Sequence, residues 1–252
     1  MIETILLILA GCGAGMINAV AGGGNMLVLP VYLALGLSPF QASVTGSIPV
    51  VPASFAAALG YRKDIASIPQ RYFLLLAPAL AGSAVGIYVL YRTPVELFEK
   101  ALPWLVLFAV ALFVFQPQLH HFLRRPVHVR LVRPAYLVAA GLFIACIYGG
   151  YYGAGVGFMI LVLLGFTRMK SVFQMTGMKS LITGATALLT VVVFSLNGQL
   201  AWKYGLITAI GSVVGGYIGA RLAHRISPHL VKLVVVFVGI IVVVATFTRA
   251  YM

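Results

Sequence analysis

Charge is what this sequence lacks. Only 8% of its 252 residues are Asp, Glu, Lys or Arg, and only four are acidic: Glu3, Asp64, Glu96 and Glu99. A soluble domain carries about 25% charged residues, so this chain has too few to cover a surface facing water. That excludes an ordinary soluble enzyme, a nucleic-acid-binding domain and a disordered chain. Cysteine is as scarce. Cys12 and Cys146 both lie in apolar stretches with no CxxC or Cys/His spacing, so neither a disulfide framework nor a zinc site is suggested. The histidines sit in two loop regions, His120, His121, His128 and then His224, His229, at no metal-ligand spacing, and read as solvated. No cofactor is implied.

Apolar residues are what is there: 62% of the chain, with a mean hydropathy of +1.08. The net charge of +13 suggests nucleic acid on its own, but the apolar stretches overrule it. A membrane-spanning helix needs about 20 apolar residues. Stretches 42–60, 72–91, 101–117, 171–196, 204–220 and 230–248 qualify, the first despite Pro49 and Pro52. Prolines are tolerated where neighbouring helices re-satisfy the freed backbone groups. Near the N-terminus Ile5 to Ala10 is apolar but follows no basic region, so it reads as a first membrane helix rather than a leader. The longer stretches 4–36 and 135–166 each break near the middle at glycine: Gly22-Gly23-Gly24 and Gly153-Ala154-Gly155-Val156-Gly157.

The two halves resemble each other. At an offset of 131, Gly22 meets Gly153, Gly24 meets Gly155, Leu33 meets Leu164, and Thr45-Gly46 meets Thr176-Gly177. At 129, Gly82-Ser83-Ala84-Val85-Gly86 meets Gly211-Ser212-Val213-Val214-Gly215. The expected organisation is a repeat over 1–117, a basic cytoplasmic linker over 118–134 and a second repeat over 135–252. Lysine and arginine in short loops favour the cytoplasm. If each broken segment is a hairpin, only Arg92, Lys100, Lys203 and Arg249 of the loop cations fall outside. If each crosses once, Arg168, Lys170, Arg221, Arg225 and Lys232 move outside instead, while Lys203 and Arg249 move in. The hairpin arrangement fits better and makes the halves inverted.

Inverted repeats with discontinuous helices are the plan of many secondary transporters, whose half-helix N-termini point at anionic substrate groups. The glycine runs suit it, because glycine lets backbone amides approach a ligand closely. Asn18 and Asn25 flank the first break, and Tyr148, Tyr151 and Tyr152 precede the second. The plainer alternative is that these glycines only let helices pack closely. Lys179 lies about 12 Å into its apolar segment, deep for a bilayer core of about 30 Å. Thr176, Lys179, Ser180 and Thr183 make one polar stripe at i, i+3, i+4 and i+7. An intramembrane charge marks a functional site by default, and no acidic residue lies mid-span as its partner. A cation so placed most simply awaits an anion; a lysine that snorkels to the interface is the alternative. No mid-span Asp, Glu or His is available for proton coupling either. Anion export needs no coupling ion, since an interior-negative potential expels each charge with about 2.3 kcal/mol per 100 mV.

Ala14-Gly15-Met16-Ile17-Asn18-Ala19-Val20-Ala21-Gly22-Gly23-Gly24-Asn25, followed by Leu29-Pro30 and Leu35-Gly36-Leu37, resembles the signature of the TauE/SafE sulfite exporters, also called toluenesulfonate uptake permeases. Gly60-Tyr61-Arg62 and Thr176-Gly177-Met178-Lys179-Ser180 resemble that family's repeat motifs. The resemblance covers essentially the whole chain and implies a multi-pass permease of the bacterial inner membrane. Its substrates would be small anions such as sulfite, sulfoacetate and related organosulfonates. One departure stands out: a threonine-asparagine pair is expected where this chain has Thr45-Gly46-Ser47.

The expectation is therefore an all-α polytopic membrane transporter, not an enzyme, with two inverted repeats, each a glycine-broken hairpin plus three spanning helices. Its partners would be a small anionic substrate and the lipid bilayer, with no nucleic acid; a homodimer is compatible with this. The expected site combines Asn18, Gly22, Gly23, Gly24, Asn25, Thr45 and Ser47 with Tyr152, Gly153, Gly155, Thr176, Lys179 and Ser180. The competing readings are an anion channel using the same site, an uptake permease for a small carboxylate, a structural subunit and an intramembrane enzyme. The last would need a nucleophile–base pair or a metal cluster, and the spans hold neither.

Overall fold

The computed structural model describes residues 2–20, 22–114, 134–223 and 228–251, and among these the chain is all-helical with no strand. In order, the helices are α1 (Ile2–Val20), α2 (Asn25–Ala34), α3 (Pro39–Thr45), α4 (Ser47–Gly60), α5 (Arg62–Ala66), a 3₁₀ turn (Gln70–Leu75), α6 (Leu76–Arg92) and α7 (Val95–Val114). The second half gives α8 (Ala135–Tyr151), α9 (Val156–Gly165), α10 (Val172–Leu196), α11 (Trp202–Leu222) and α12 (Pro228–Tyr251). Among the described residues six stretches are long and apolar enough to cross a membrane, including Pro39–Gly60, Gln70–Arg92 and Val172–Leu196. The linker expected over 118–134 lies outside the described residues except for Pro134, as do His120, His121, His128 and His224.

Each glycine-broken segment doubles back on itself. Beyond the first break Leu27 packs on Gly13, and beyond the second Leu163 packs on Gly141 and Val156 on Gly149. Gly22 (φ 78°) and Gly153 (φ 84°), equivalent at the offset of 131, both take the left-handed conformation that makes the reversal.

The halves embrace reciprocally. α1 packs on α11 and α8 on α6, while α4 meets α10 and α7 meets α12. The Gly-Ser-x-x-Gly repeat explains the first two pairings. A Cβ at Gly82 or Gly86 would collide with the carbonyls of Phe143 and Ile147, and one at Gly211 or Gly215 with those of Ile8 and Cys12. Small residues let helix backbones meet where no hydrophobic effect drives association.

Contacts also fix which segments share an end. At one end Gln174 Nε2 donates to Ser67 Oγ (2.7 Å) and the Arg168 amide to the Tyr72 hydroxyl (3.2 Å). At the other the Ala201 amide donates to Thr45 Oγ1 (3.1 Å), Lys203 lies 4.0 Å from Glu3, and Phe40 meets the rings of Phe98 and Phe194. The start of α10 is set by its sequence: Ser171 and Gln174 form a reciprocal capping box.

Two boundaries differ from expectation. α7 begins at Val95 rather than 101, because the charged turn Glu96–Lys100 is helical, with Leu97 and Phe98 amides bonded to Pro94 O and Phe98 buried. The stretch 42–60 is not one helix. It breaks at Gly46 between α3 and α4, whereas Pro52 sits inside α4 without interrupting it.

Candidate functional site

The two hairpin turns lie against each other, with Gly22 backed on Gly157: a Cβ on either would fall 2.5 Å from the other's Cα. Beside this contact is a cavity of about 40 Å³ lined by residues from both hairpins and from α4 and α10. A water needs about 10–15 Å³ on this measure, so the cavity has room for one small polyatomic ion. The first hairpin contributes Asn18, Gly22, Gly23, Gly24 and Asn25, the second Gly149, Gly153 and Val156, and α4 Ser47 and Val50. From α10 come Thr183, Thr186, Ala187 and Thr190. The N-termini of the half-helices α2 and α9 both border it, and a helix start offers unpaired N–H groups and a positive dipole end. Among the described residues no carboxylate lines it. The surroundings suit an anion.

A hydrogen-bond chain ties the two halves at this wall. Asn18 Nδ2 donates to Ser54 Oγ (2.9 Å), Ser54 Oγ lies 3.3 Å from Thr183 Oγ1, and Thr183 Oγ1 donates to the Lys179 carbonyl (3.0 Å). Lys179 is fully buried. Its ammonium donates to Asn18 O (2.5 Å) and Ala19 O (3.2 Å), carbonyls in the last turn of α1. Asn18 O also accepts the Gly22 amide (3.1 Å), and a cation at this helix end is favoured by the dipole. So the expected unpaired charge has backbone partners, and it stands behind the lining residue Asn18 rather than on the cavity surface, its stem passing Gly22.

Seven of the expected residues line the cavity: Asn18, Gly22, Gly23, Gly24, Asn25, Ser47 and Gly153. The others have different engagements. Thr45 Oγ1 accepts from Ala201, Thr176 Oγ1 donates to Val172 O and Ser180 Oγ to Thr176 O. Gly155 packs on Ala109 and Leu112. Tyr152 is buried against the Tyr148 ring, its hydroxyl without a hydrogen-bond partner. Sequence reasoning missed Thr186 and Thr190, which extend the stripe of Thr176, Lys179, Ser180 and Thr183 toward the C-terminus of α10. Gly46 also finds its reason here. A Cβ at position 46 would sit 1.7 Å from Asn25 Oδ1, so the side chain of Asn25 fills the space that a larger residue 46 would need. Among the described residues no cluster of His, Cys, Asp and Glu is arranged to hold a metal.

Comparison with known proteins agrees with this architecture. A probable membrane transporter protein of Haemophilus influenzae is 29% identical over 242 residues, covering 93% of this chain and 90% of the relative. The probable membrane transporter protein YfcA of Escherichia coli K12 is 26% identical over 90% of this chain and 82% of its own length. The probable membrane transporter protein ORF9 of a Sinorhizobium species is 26% identical, covering 93% of this chain and 88% of the relative. No solved structure matches. The family described as sulfite exporter TauE/SafE matches residues 7–246. With that match over nearly its full length, on a fold of apolar spans and two glycine-broken hairpins, the chain belongs to the TauE/SafE family of membrane transporters.

Proposed function

We propose that this transporter carries a small oxyanion, sulfite or a short organosulfonate such as sulfoacetate, through the cavity between its two hairpin turns. The observation that carries the reading is the meeting of two half-helix N-termini at a small cavity that no carboxylate lines among the described residues. Amides of the glycine turns and the hydroxyl of Ser47 replace the hydration of the anion, while Thr183, Thr186 and Thr190, whose hydroxyls donate to backbone carbonyls of α10, complete the lining. Lys179 supplies countercharge from behind, through the end of α1, and holds the turn that binds.

The halves act as inverted repeats. The contacts Thr45–Ala201 and Glu3–Lys203 at one end, and Ser67–Gln174 and Tyr72–Arg168 at the other, support this. They put Arg62, Lys63, Arg71, Arg168 and Lys170 together, as the positive-inside rule requires of a cytoplasmic face. Alternating access is then a rocking of one hairpin-bearing unit against the other around a fixed site.

Proteoliposomes containing the purified protein test the reading, with labelled sulfite, sulfoacetate, a short carboxylate and sulfate offered separately under imposed potential and pH gradients. Saturable, exchange-capable flux of sulfite or sulfoacetate is expected. Flux of the carboxylate alone would replace the substrate class, and single-channel currents would replace the carrier by a pore.

A further inference from the structure

A second, much larger hollow lies away from the cavity, at the end of the bundle that carries Arg71 and Arg168. It measures about 760 Å³ and runs between the 3₁₀ turn with the start of α6 and the start of α8. One half supplies Arg71 and the other Arg168, and among the described residues no acidic one lines it. The Arg71 guanidinium rests 5.3 Å over the Tyr72 ring, whose hydroxyl accepts the Arg168 amide (3.2 Å), so Tyr72 links the segments that bear the two cations. The first turn of the 17-residue α8 opens onto the same place, adding the positive end of a helix dipole. Below this charged rim the wall is apolar: Leu75, Pro78, Val138 and Ala139. Leu74 and Tyr136, both on its lining, are 73% and 70% exposed.

We propose that this groove holds an anionic phospholipid, with its phosphate between Arg71 and Arg168 and one acyl chain along the Leu75–Val138–Ala139 wall. The groove lies at the Gln70 end of the membrane span Gln70–Arg92, where headgroups stand in a bilayer. A purely apolar cleft would be filled by any lipid tail, and a purely cationic one by any soluble anion. Cations from both halves above one apolar wall match a molecule that is anionic at its head and apolar below. A lipid so held bridges the start of α6 to the start of α8, elements of opposite halves.

The test uses the full-length protein in detergent, titrated with phosphatidylglycerol or phosphatidylcholine of identical acyl chains and read by native mass spectrometry. Phosphatidylglycerol is expected to bind in preference. Arg71→Gln with Arg168→Gln should cut that preference roughly 25-fold, at about fivefold per surface cation, with the size-exclusion profile unchanged. Ala139→Trp keeps both cations and fills the apolar wall, and should lose bound phosphatidylglycerol too. Equal binding of the two lipids, or phosphatidylglycerol retained by the double variant, would overturn the proposal. So would displacement of phosphatidylglycerol by millimolar inorganic phosphate, which would make the groove a site for soluble anions.

Discussion

The two hairpins follow one backbone plan and carry different chemistry. Asn18, Gly22 and Asn25 of the first correspond, at the offset of 131, to Gly149, Gly153 and Val156 of the second. All six positions line the cavity. The first hairpin brings two amides and the second brings only backbone and a small apolar surface. The segments that follow reverse the balance. Thr45-Gly46 ends a short helix at a break, while Thr176-Gly177 lies in an unbroken α10 that carries the threonines and Lys179. The equivalent of Lys179 is Ile48, buried and packed on Gly205. On the proposed reading the two halves supply a matching frame, and the site becomes specific where their residues differ.

The comparison breaks first at the glycines. Gly22→Ala puts a methyl 2.5 Å from Gly157 Cα and also strains a left-handed residue, at about 1–2 kcal/mol for the backbone alone. Transport should fall to background in a proteoliposome flux assay. Gly153→Ala carries the same backbone strain, but its methyl would meet only Gly149 O at 3.2 Å, so measurable flux should remain. Equal loss in both would show that the turn conformation matters and the contact between turns does not.

Next comes the lysine. Lys179→Met removes the countercharge, takes the ammonium donor from Ala19 O and leaves Asn18 O with the Gly22 amide alone, at about 1–3 kcal/mol for a buried group left unsatisfied. Flux should drop on the order of 100-fold, with a lower midpoint of thermal unfolding. Ile48→Met, at the equivalent position, should change both little. A Lys179→Met protein with wild-type flux and a lowered midpoint would assign the ammonium to capping α1 alone.

A smaller effect is expected at the threonines. Thr183→Val severs the chain from Asn18 through Ser54 to α10 and removes one hydroxyl from the cavity. About 1 kcal/mol is at stake for one hydrogen bond, which should raise KM about fivefold while leaving expression and the size-exclusion profile unchanged.

Much of this was legible in the sequence, for physical reasons. Spans show themselves because a bilayer demands about 20 apolar residues. The hairpins show themselves because a reversal inside it demands glycine, as at Gly22 and Gly153. What stayed hidden depended on partners far apart in the chain. The carbonyls that bind Lys179 belong to the backbone of residues 161 and 160 positions away, and no side-chain pattern announces them. The glycine at position 46 is accounted for by Asn25, whose side chain takes the space a Cβ there would need. Thr186 and Thr190 were within reach of the helical stripe that begins at Thr176, had it been followed further along α10.

The central claim, that the anion sits in the cavity between the two turns, is tested most directly by filling that cavity. Ala187 lines it without a hydrogen bond of its own side chain to lose, and Ala187→Leu adds three carbons to a space of about 40 Å³. Equilibrium binding of labelled sulfite to the purified variant, compared with wild type at matched size-exclusion profiles, is the measurement. Binding is expected to be lost while the protein stays folded. Wild-type affinity in Ala187→Leu would contradict it and place the anion elsewhere in the bundle.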